Sequence, residues 1–220
     1  MQSLGIPLAQ SLYPPIPQST APPSDQRVVH YGRSWEQFKS IQTGFDQAPG
    51  VRLFYYDGTV EVLMPGREHE LFSWVIGHLV GLFLAQRGVF FQPTGSMTQE
   101  KEREVSAQAD QSFCVGSVKP IPDLSIEVIF TSGGVDKLAR YRALGVPEVW
   151  LWQDGVLMVY GLRVSEGEAT PTQGYEQCDR SQLAGLQDLD LDLLRRCILL
   201  AETDTGAAIR QFQQGIALST

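Results

Sequence analysis

A strand, a helix and a second strand follow one another between positions 124 and 152, and this succession constrains the fold more than any other feature. Leu124–Phe130 and Val149–Trp152 are rich in apolar and β-branched residues, and Val135–Leu144 has the length of a helix that ends at Gly145. Two strands joined by a helix within about 30 residues are typical of a βαβ-like unit. The sequence therefore predicts a mixed α/β domain with a central sheet of about five or six strands and helices on both sides.

Further strands and helices are predicted around this unit. Asp57-Gly58 lies between Val51–Tyr56 and Thr59–Met64, which is a strong signal for a β-hairpin. Apolar residues recur at helical spacing from Arg67 to Arg87 and predict a long buried helix. The polar stretch Met97–Ala109 receives no assignment. The remaining predicted elements are a short helix from the N-cap Ser34 to Gly44, the strands Val89–Gln92, Phe113–Val115 and Gly155–Gly161, and a C-terminal helical pair, Leu189–Ala201 and Thr205–Gln214.

Three segments are expected along the chain of 220 residues. Residues 1–26 hold six of the 13 prolines and one charge, Asp25, which predicts an extended or disordered leader, with a polyproline docking ligand as the alternative. Residues 27–180 would form the core, and residues 181–220 a C-terminal helical extension of the same domain.

Composition and charge limit the class of protein. A hydrophobic fraction of 43% and a charged fraction of 19% are typical of a globular domain and exclude a disordered chain. The net charge of -8 argues against a broad basic surface for nucleic acid but leaves room for a small metal-bridged site. Three scattered cysteines without a CxxC pair indicate reduced thiols and a cytoplasmic protein. The longest apolar stretch, Leu71 to Ala85, is shorter than the roughly 20 residues of a membrane span, so no membrane partner is expected.

Glu127 is the most unusual residue of the predicted strand Leu124–Phe130. Side chains alternate between the faces of a strand, so Leu124, Ile126 and Val128 share one apolar face and Glu127 lies on the other. A carboxylate in so apolar a strand is costly to bury unless a metal, a cation or hydrogen bonds pair it. Asp123, at the mouth of the strand, is expected to be exposed and structural.

Asp110 and Lys137 complete the candidate site. Asp110 precedes an apolar run, and two carboxylates on neighbouring strands can hold Mg²⁺, which would polarise a phosphodiester and activate a water. Lys137, near the start of a helix and one turn before Tyr141, would stabilise the phosphate or help to deprotonate the water. The ordinary alternative is a solvated loop aspartate, a salt-bridged glutamate and a solvated helix lysine.

Several segments, in their order and spacing, resemble the Uma-two family of restriction-endonuclease-like proteins. The resemblance extends over most of residues 33–216. The segments are Asp57–Pro65, His69-Glu70, Pro122–Val128, Lys137 with Tyr141, and Gly145–Trp150.

This resemblance implies a restriction-endonuclease-like fold of the PD-(D/E)xK superfamily and a metal-dependent nuclease acting on DNA. It implies Asp110 and Glu127 as catalytic metal ligands, Lys137 as the active-site lysine, and Glu70 of the first long helix as a further ligand. The expected cofactor is Mg²⁺, with Mn²⁺ as a substitute, and a homodimer would cut two strands.

Two departures from the family pattern keep a second hypothesis open. Ala109 stands where members usually carry proline, and Ile129 stands where a plain E-x-K motif has its lysine. Together with the acidic charge, they favour a non-catalytic member that acts as a binding or accessory module. Glu61 alternates with apolar neighbours and is expected to face solvent, and His69 and His78 are expected on opposite faces of one helix.

Overall fold

The computed structural model of the protein describes residues 24–46, 48–130, 134–164 and 173–218. The predicted leader, with its polyproline alternative, lies outside the described residues except for its last three, Ser24 to Gln26. Gln26 already begins the first strand, and Asp25 is held by side-chain contacts discussed below.

Eleven strands and five helices form the described part of the chain, which confirms the mixed α and β fold class. The strands are β1 (Gln26–His30), β2 (Arg52–Tyr56), β3 (Thr59–Met64), β4 (Phe91–Pro93), β5 (Thr98–Lys101), β6 (Val105–Gln108), β7 (Gln111–Val115), β8 (Leu124–Ile129), β9 (Glu148–Gln153), β10 (Val156–Val164) and β11 (Gln173–Cys178). The helices are α1 (Trp35–Gly44), α2 (Arg67–Gln86), α3 (Gly134–Leu144), α4 (Leu191–Ala201) and α5 (Thr205–Ala217).

The predicted central sheet is a six-stranded mixed sheet in the order β11-β10-β9-β8-β7-β4. Its one parallel pair is β8 with β9, joined by α3, as the strand-helix-strand pattern predicted. Helices cover both faces. The face that carries Leu124, Ile126 and Val128 packs against α2, α4 and α5, and the opposite face, which carries Ile129 and Leu151, packs against α3.

A second sheet, which the sequence analysis did not predict, has five antiparallel strands in the order β1-β3-β2-β6-β5. Phe54, Leu63 and Val105 of this sheet join Ile129 and Tyr141 in one hydrophobic core, so the five-stranded sheet closes over α3 and the second face of the six-stranded sheet. Residues on that face are therefore enclosed rather than exposed.

Local sequence signals account for several boundaries. Ser34 accepts a hydrogen bond from the backbone of Gln37, whose side chain accepts one from the Ser34 backbone, so α1 begins with the predicted cap. Asp57 and Gly58 have φ values of 46° and 68°, as a two-residue hairpin turn requires. Asp190 caps α4 by accepting a hydrogen bond from the backbone N–H of Leu193. Among the described residues, no helix is both long and apolar enough to cross a membrane.

Candidate active site

The candidate site lies in the enclosed space between the six-stranded sheet, α2, α3 and the five-stranded sheet. Three of the predicted residues meet there in buried positions: Asp110 is 2% exposed, Glu127 0% and Lys137 7%. The ordinary alternatives of a solvated aspartate and a solvated lysine are therefore wrong, whereas the salt bridge foreseen for Glu127 is present.

Glu127 is held by two side chains from α3. Lys137 donates from Nζ to Oε2 at 2.6 Å, and the hydroxyl of Tyr141 donates to Oε1. Both partners face β8 because they lie four residues apart on one helix, about one turn. Every oxygen of the buried carboxylate thus has a donor, which is the condition for keeping a charge inside a core.

The surrounding charges determine how Glu127 and Tyr141 titrate. Burial disfavours the charged form of Glu127, but Lys137 and Arg140 outweigh it and hold the pKa of this carboxyl below its ordinary value. Burial and the neighbouring Glu127 charge raise the pKa of Tyr141 well above its ordinary value. At neutral pH the site therefore contains an ionised glutamate and a neutral tyrosine.

Asp110 lies beside Glu127 on the neighbouring chain segment. The antiparallel ladder pairs Gln111 with Ile126, and the next position along it brings Asp110 and Glu127 together. Oδ2 of Asp110 accepts a hydrogen bond from the backbone N–H of Val128 at 2.6 Å. Oδ1 forms an ion pair with Nη1 of Arg52 but accepts no hydrogen bond from any described residue.

Arg52 connects Asp110 to the fourth predicted residue, Glu70. Its Nη2 donates to Oε1 of Glu70 at 2.8 Å. Glu70 lies in the first turn of α2 and its side chain is 50% exposed, so it borders the buried site and reaches Asp110 only through the guanidinium.

His69 lies on the buried face of α2, between two carboxylates. Nδ1 contacts Oδ2 of Asp25 and Nε2 contacts Oδ2 of Asp110, each at 2.8 Å. The second contact suits a protonated ring, whereas burial, opposed by Asp25, lowers the pKa of His69. Nη1 of Arg52 lies 3.1 Å from the same Nε2 atom, so the ring is held among Asp25, Asp110 and Arg52.

Glu61 was expected to face solvent, and this prediction is wrong. It is 4% exposed rather than solvent-facing, because Arg27 of β1 and Arg140 of α3 pack against its carboxylate. Arg140 and Arg27 donate to its two oxygens, each at 2.8 Å. Burial alone would raise the pKa of Glu61, but these arginines and Lys137 lower it to about 2.

Asp123 has the structural role that was predicted but not the predicted exposure. It is 8% exposed and accepts hydrogen bonds from the backbone of Val115 at 2.8 Å and from Lys119 at 2.5 Å. His78 faces away from His69, as predicted, and stacks on Trp74 with ring centres 4.8 Å apart.

The sequence analysis missed Arg52, His69, Glu61 and Arg140 as members of the site. Each of them lies on a different helix or strand. The residues that they contact are far away in sequence: Arg52 and His69 are 17 positions apart, and Glu61 and Arg140 are 79 positions apart. Arg52 could have been noticed as a cation beside the apolar strand run, but nothing in its spacing points to Asp110.

Whether a divalent metal fits the site depends on which side-chain atoms are available as its ligands. Carboxylate oxygens such as those of Asp110 and Glu127 are the ligands that Mg²⁺ prefers, but Oδ1 of Asp110 already contacts Nη1 of Arg52, and both oxygens of Glu127 accept from Lys137 and Tyr141. Across the part of the chain that the structure describes, no group of three or more His, Cys, Asp or Glu side chains is arranged to hold an ion. A cation that took these two carboxylates would therefore have to displace protein partners and complete its shell with water.

The mixed α and β fold is consistent with a restriction-endonuclease-like domain, and a comparison with protein families agrees. Residues 35–194, well over half of the chain, match the Uma2 family, which is described as a putative restriction endonuclease. The chain belongs to this family, as the resemblance of its motifs indicated. A comparison with curated proteins gave no match.

Proposed function

We propose that the protein is a metal-dependent endonuclease that hydrolyses phosphodiester bonds of DNA. The observation that carries this proposal is the burial of two carboxylates on neighbouring chain segments, Asp110 and Glu127, with the ammonium group of Lys137 2.6 Å from Glu127. A core does not bury such a group of charges for stability alone, since apolar residues of similar volume are often equally stable there.

Each residue of the group has a role that follows from its chemistry. Asp110 and Glu127 would hold Mg²⁺ or Mn²⁺. Glu70 would be a further ligand if Arg52, which lies between Glu70 and Asp110, moved aside. The metal, when bound, would polarise the phosphodiester and lower the pKa of a water molecule. Lys137, as an ammonium, would stabilise negative charge on the phosphate oxygens. Tyr141 keeps the Glu127 carboxylate in place by donating to its second oxygen.

A nuclease assay tests the proposal. Supercoiled plasmid and single-stranded DNA are incubated with wild-type protein, Asp110→Ala and Glu127→Ala, in Mg²⁺ or Mn²⁺ and with a chelator as the metal-free control. We expect cleavage that needs the metal and is lost in both variants while their circular dichroism stays that of the wild type. Normal cleavage by either folded variant would exclude the assigned site.

A non-catalytic function is the second candidate, and one observation favours it. The carboxylates already have protein cations as partners, Asp110 with Arg52 and Glu127 with Lys137. In an accessory protein these ion pairs would be permanent. Calorimetry with Mg²⁺ and Mn²⁺ distinguishes the two functions, because a permanently paired site releases no binding heat whereas a nuclease site does.

The assembly and compartment follow from the same proposal. Cutting both strands of a duplex calls for two active sites, which a homodimer would supply. The proposed compartment is the cytoplasm, where the free thiols of Cys114, Cys178 and Cys197 stay reduced.

A further inference from the structure

A cavity of about 370 Å³ lies beside the candidate site, between α3 and the five-stranded sheet. We propose that it holds an unpaired base of the DNA substrate, next to the phosphodiester that is cut. This inference rests on the proposed function, since it names the form of the substrate that the same site would receive. The volume is within the range of pockets that hold small organic groups.

Aromatic rings form much of the cavity lining. Phe54 and Tyr56 of β2 line it, and Tyr31, directly after β1, is 76% exposed at the same place. A large aromatic ring left in solvent gains free energy when a flat partner covers it, and every nucleobase offers such a face. The lining therefore suits a stacked ring better than a flexible aliphatic chain.

Arg140 supplies an unused hydrogen-bond donor at this cavity. The residue is 8% exposed, its guanidinium lies 4.3 Å from the centre of the Phe54 ring, and Nη2 is taken by Glu61. Its Nη1 atom is buried and has no hydrogen-bond partner among the residues that the structure describes. A buried charged donor without an acceptor is unfavourable, so a ligand that brings a carbonyl or ring-nitrogen acceptor would complete it.

The charge of the lining favours a base over a phosphate. Arg27 and Arg140 contribute two positive charges, and Glu61 and Asp57 contribute two negative charges, so the formal charge is zero. A phosphate would meet two carboxylates there, whereas an uncharged base can use both the donors and the acceptors along its edge. Thr59 adds a hydroxyl that can either donate or accept a hydrogen bond.

The position of the cavity connects it to the proposed chemistry. Phe54 lines the cavity, and its ring centre is also 5.9 Å from Nζ of Lys137. Lys137 and Arg140 lie three positions apart on α3, so their side chains project from neighbouring points of one helix face: Lys137 contacts Glu127 and Arg140 lines the cavity. A nucleotide whose base enters the cavity would thus have its phosphate near Lys137. A base inside a duplex cannot enter, so the substrate strand must be single or locally opened.

Binding measured without metal tests this inference separately from cleavage. Fluorescence anisotropy of a labelled single-stranded oligodeoxynucleotide, in the presence of a chelator, is compared with that of a duplex of the same sequence. The full-length wild type is measured beside Tyr31→Ala, Tyr31→Phe and Phe90→Ala. Tyr31 is exposed, so these variants leave the core intact, and Phe90 is a matched control because it is 58% exposed and lies outside the cavity lining.

We expect the wild type to bind the single strand more tightly than the duplex. Tyr31→Ala should weaken single-strand binding about tenfold, the usual effect of losing one stacking ring, whereas Tyr31→Phe and Phe90→Ala should bind as the wild type. Equal binding by Tyr31→Ala and the wild type, or a preference for the duplex, would overturn the inference. The nuclease proposal is judged independently, by metal-dependent cleavage that needs Asp110 and Glu127.

Discussion

Glu61 and Glu127 carry negative charges in the interior because a cation from a neighbouring element contacts each of them. Glu61 lies between Arg27 and Arg140, and Glu127 contacts Lys137. Such pairs make the free energy of unfolding depend on pH, since the carboxyl binds protons less readily in the folded state than in the unfolded state. They also raise the cost of losing one partner, which leaves a buried charge unpaired.

Glu61→Gln tests this pairing at the residue scale. The pKa of Glu61 is about 2 in the folded protein against an ordinary value of 4.5. Its stabilising contribution is therefore complete above about pH 4.5 and disappears as the pH falls towards 2. We expect the variant to unfold with a free energy about 3 kcal/mol lower than the wild type at pH 7, and the difference to shrink below pH 4.5.

Urea denaturation between pH 7 and pH 3 provides the measurement. Glu102→Gln is the control, because the Glu102 side chain is 81% exposed and its ion pair with Arg103 is 3.9 Å long. A surface pair of this kind contributes little, so the control should match the wild type at every pH. A Glu61→Gln difference that stays constant with pH would contradict the ion-pair explanation.

The helices and strands were largely predictable, and the exceptions have a physical cause. Strand β8 was recognised because apolar residues dominate its sequence, and Glu127 was noticed because it is a charged residue in the middle of that apolar strand. Strands β5 and β6 were not recognised because they carry polar side chains in the interior: Gln99 and Ser106 are both 0% exposed, and Nε2 of Gln99 donates to Ser125 at 3.2 Å. Hydrophobic periodicity cannot reveal a strand whose buried positions carry polar side chains.

The same limit applies to the candidate site. Asp110, Glu127 and Lys137 could be chosen because charge beside apolar sequence is unusual, and the family resemblance gave them their roles. Arg52 and His69 could not be assigned to Asp110, since only tertiary contacts of their side chains bring β2 and the first turn of α2 to it. Contacts between different helices and strands depend on the tertiary fold. The spacing of residues along a single helix or strand carries no information about them.

The hairpin between β2 and β3 gives a prediction at the element scale. Gly58 has φ of +68°, and a Cβ there would lie 3.6 Å from the backbone oxygen of Arg33, an ordinary van der Waals contact, so Gly58→Ala meets backbone strain but no clash. We expect a loss of about 1 kcal/mol in the free energy of unfolding. Gly44→Ala at the end of α1 is the control, because Gly44 has ordinary φ and open space, and alanine there should be neutral or stabilising. Equal urea midpoints for the two variants would contradict this assignment.

At the scale of the whole molecule, α4 and α5 complete the hydrophobic core on the face of the six-stranded sheet opposite to the candidate site. Phe212 of α5 is 0% exposed and belongs to the same core as Trp150. We therefore propose that residues 181–220 unfold together with the core as one domain.

Phe212→Ala tests this cooperation. Removal of a fully buried ring should lower the free energy of unfolding by about 3–5 kcal/mol while keeping a single transition. Urea unfolding followed by tryptophan fluorescence and by far-ultraviolet circular dichroism should give one common midpoint. Leu218→Ala, at a position that is 89% exposed, should leave that midpoint unchanged. Separate transitions for the two signals would mean that the helical extension unfolds by itself.

The measurement that tests the central claim most directly is Mg²⁺-dependent cleavage of plasmid DNA by Glu127→Gln beside Asp123→Asn. Both variants remove one charge from a buried carboxylate near β8, but only Glu127 belongs to the group with Asp110 and Lys137. The account predicts cleavage by wild type and by Asp123→Asn, and a loss of at least about a hundredfold in Glu127→Gln. Equal cleavage by the two variants, or none by the wild type, would contradict it.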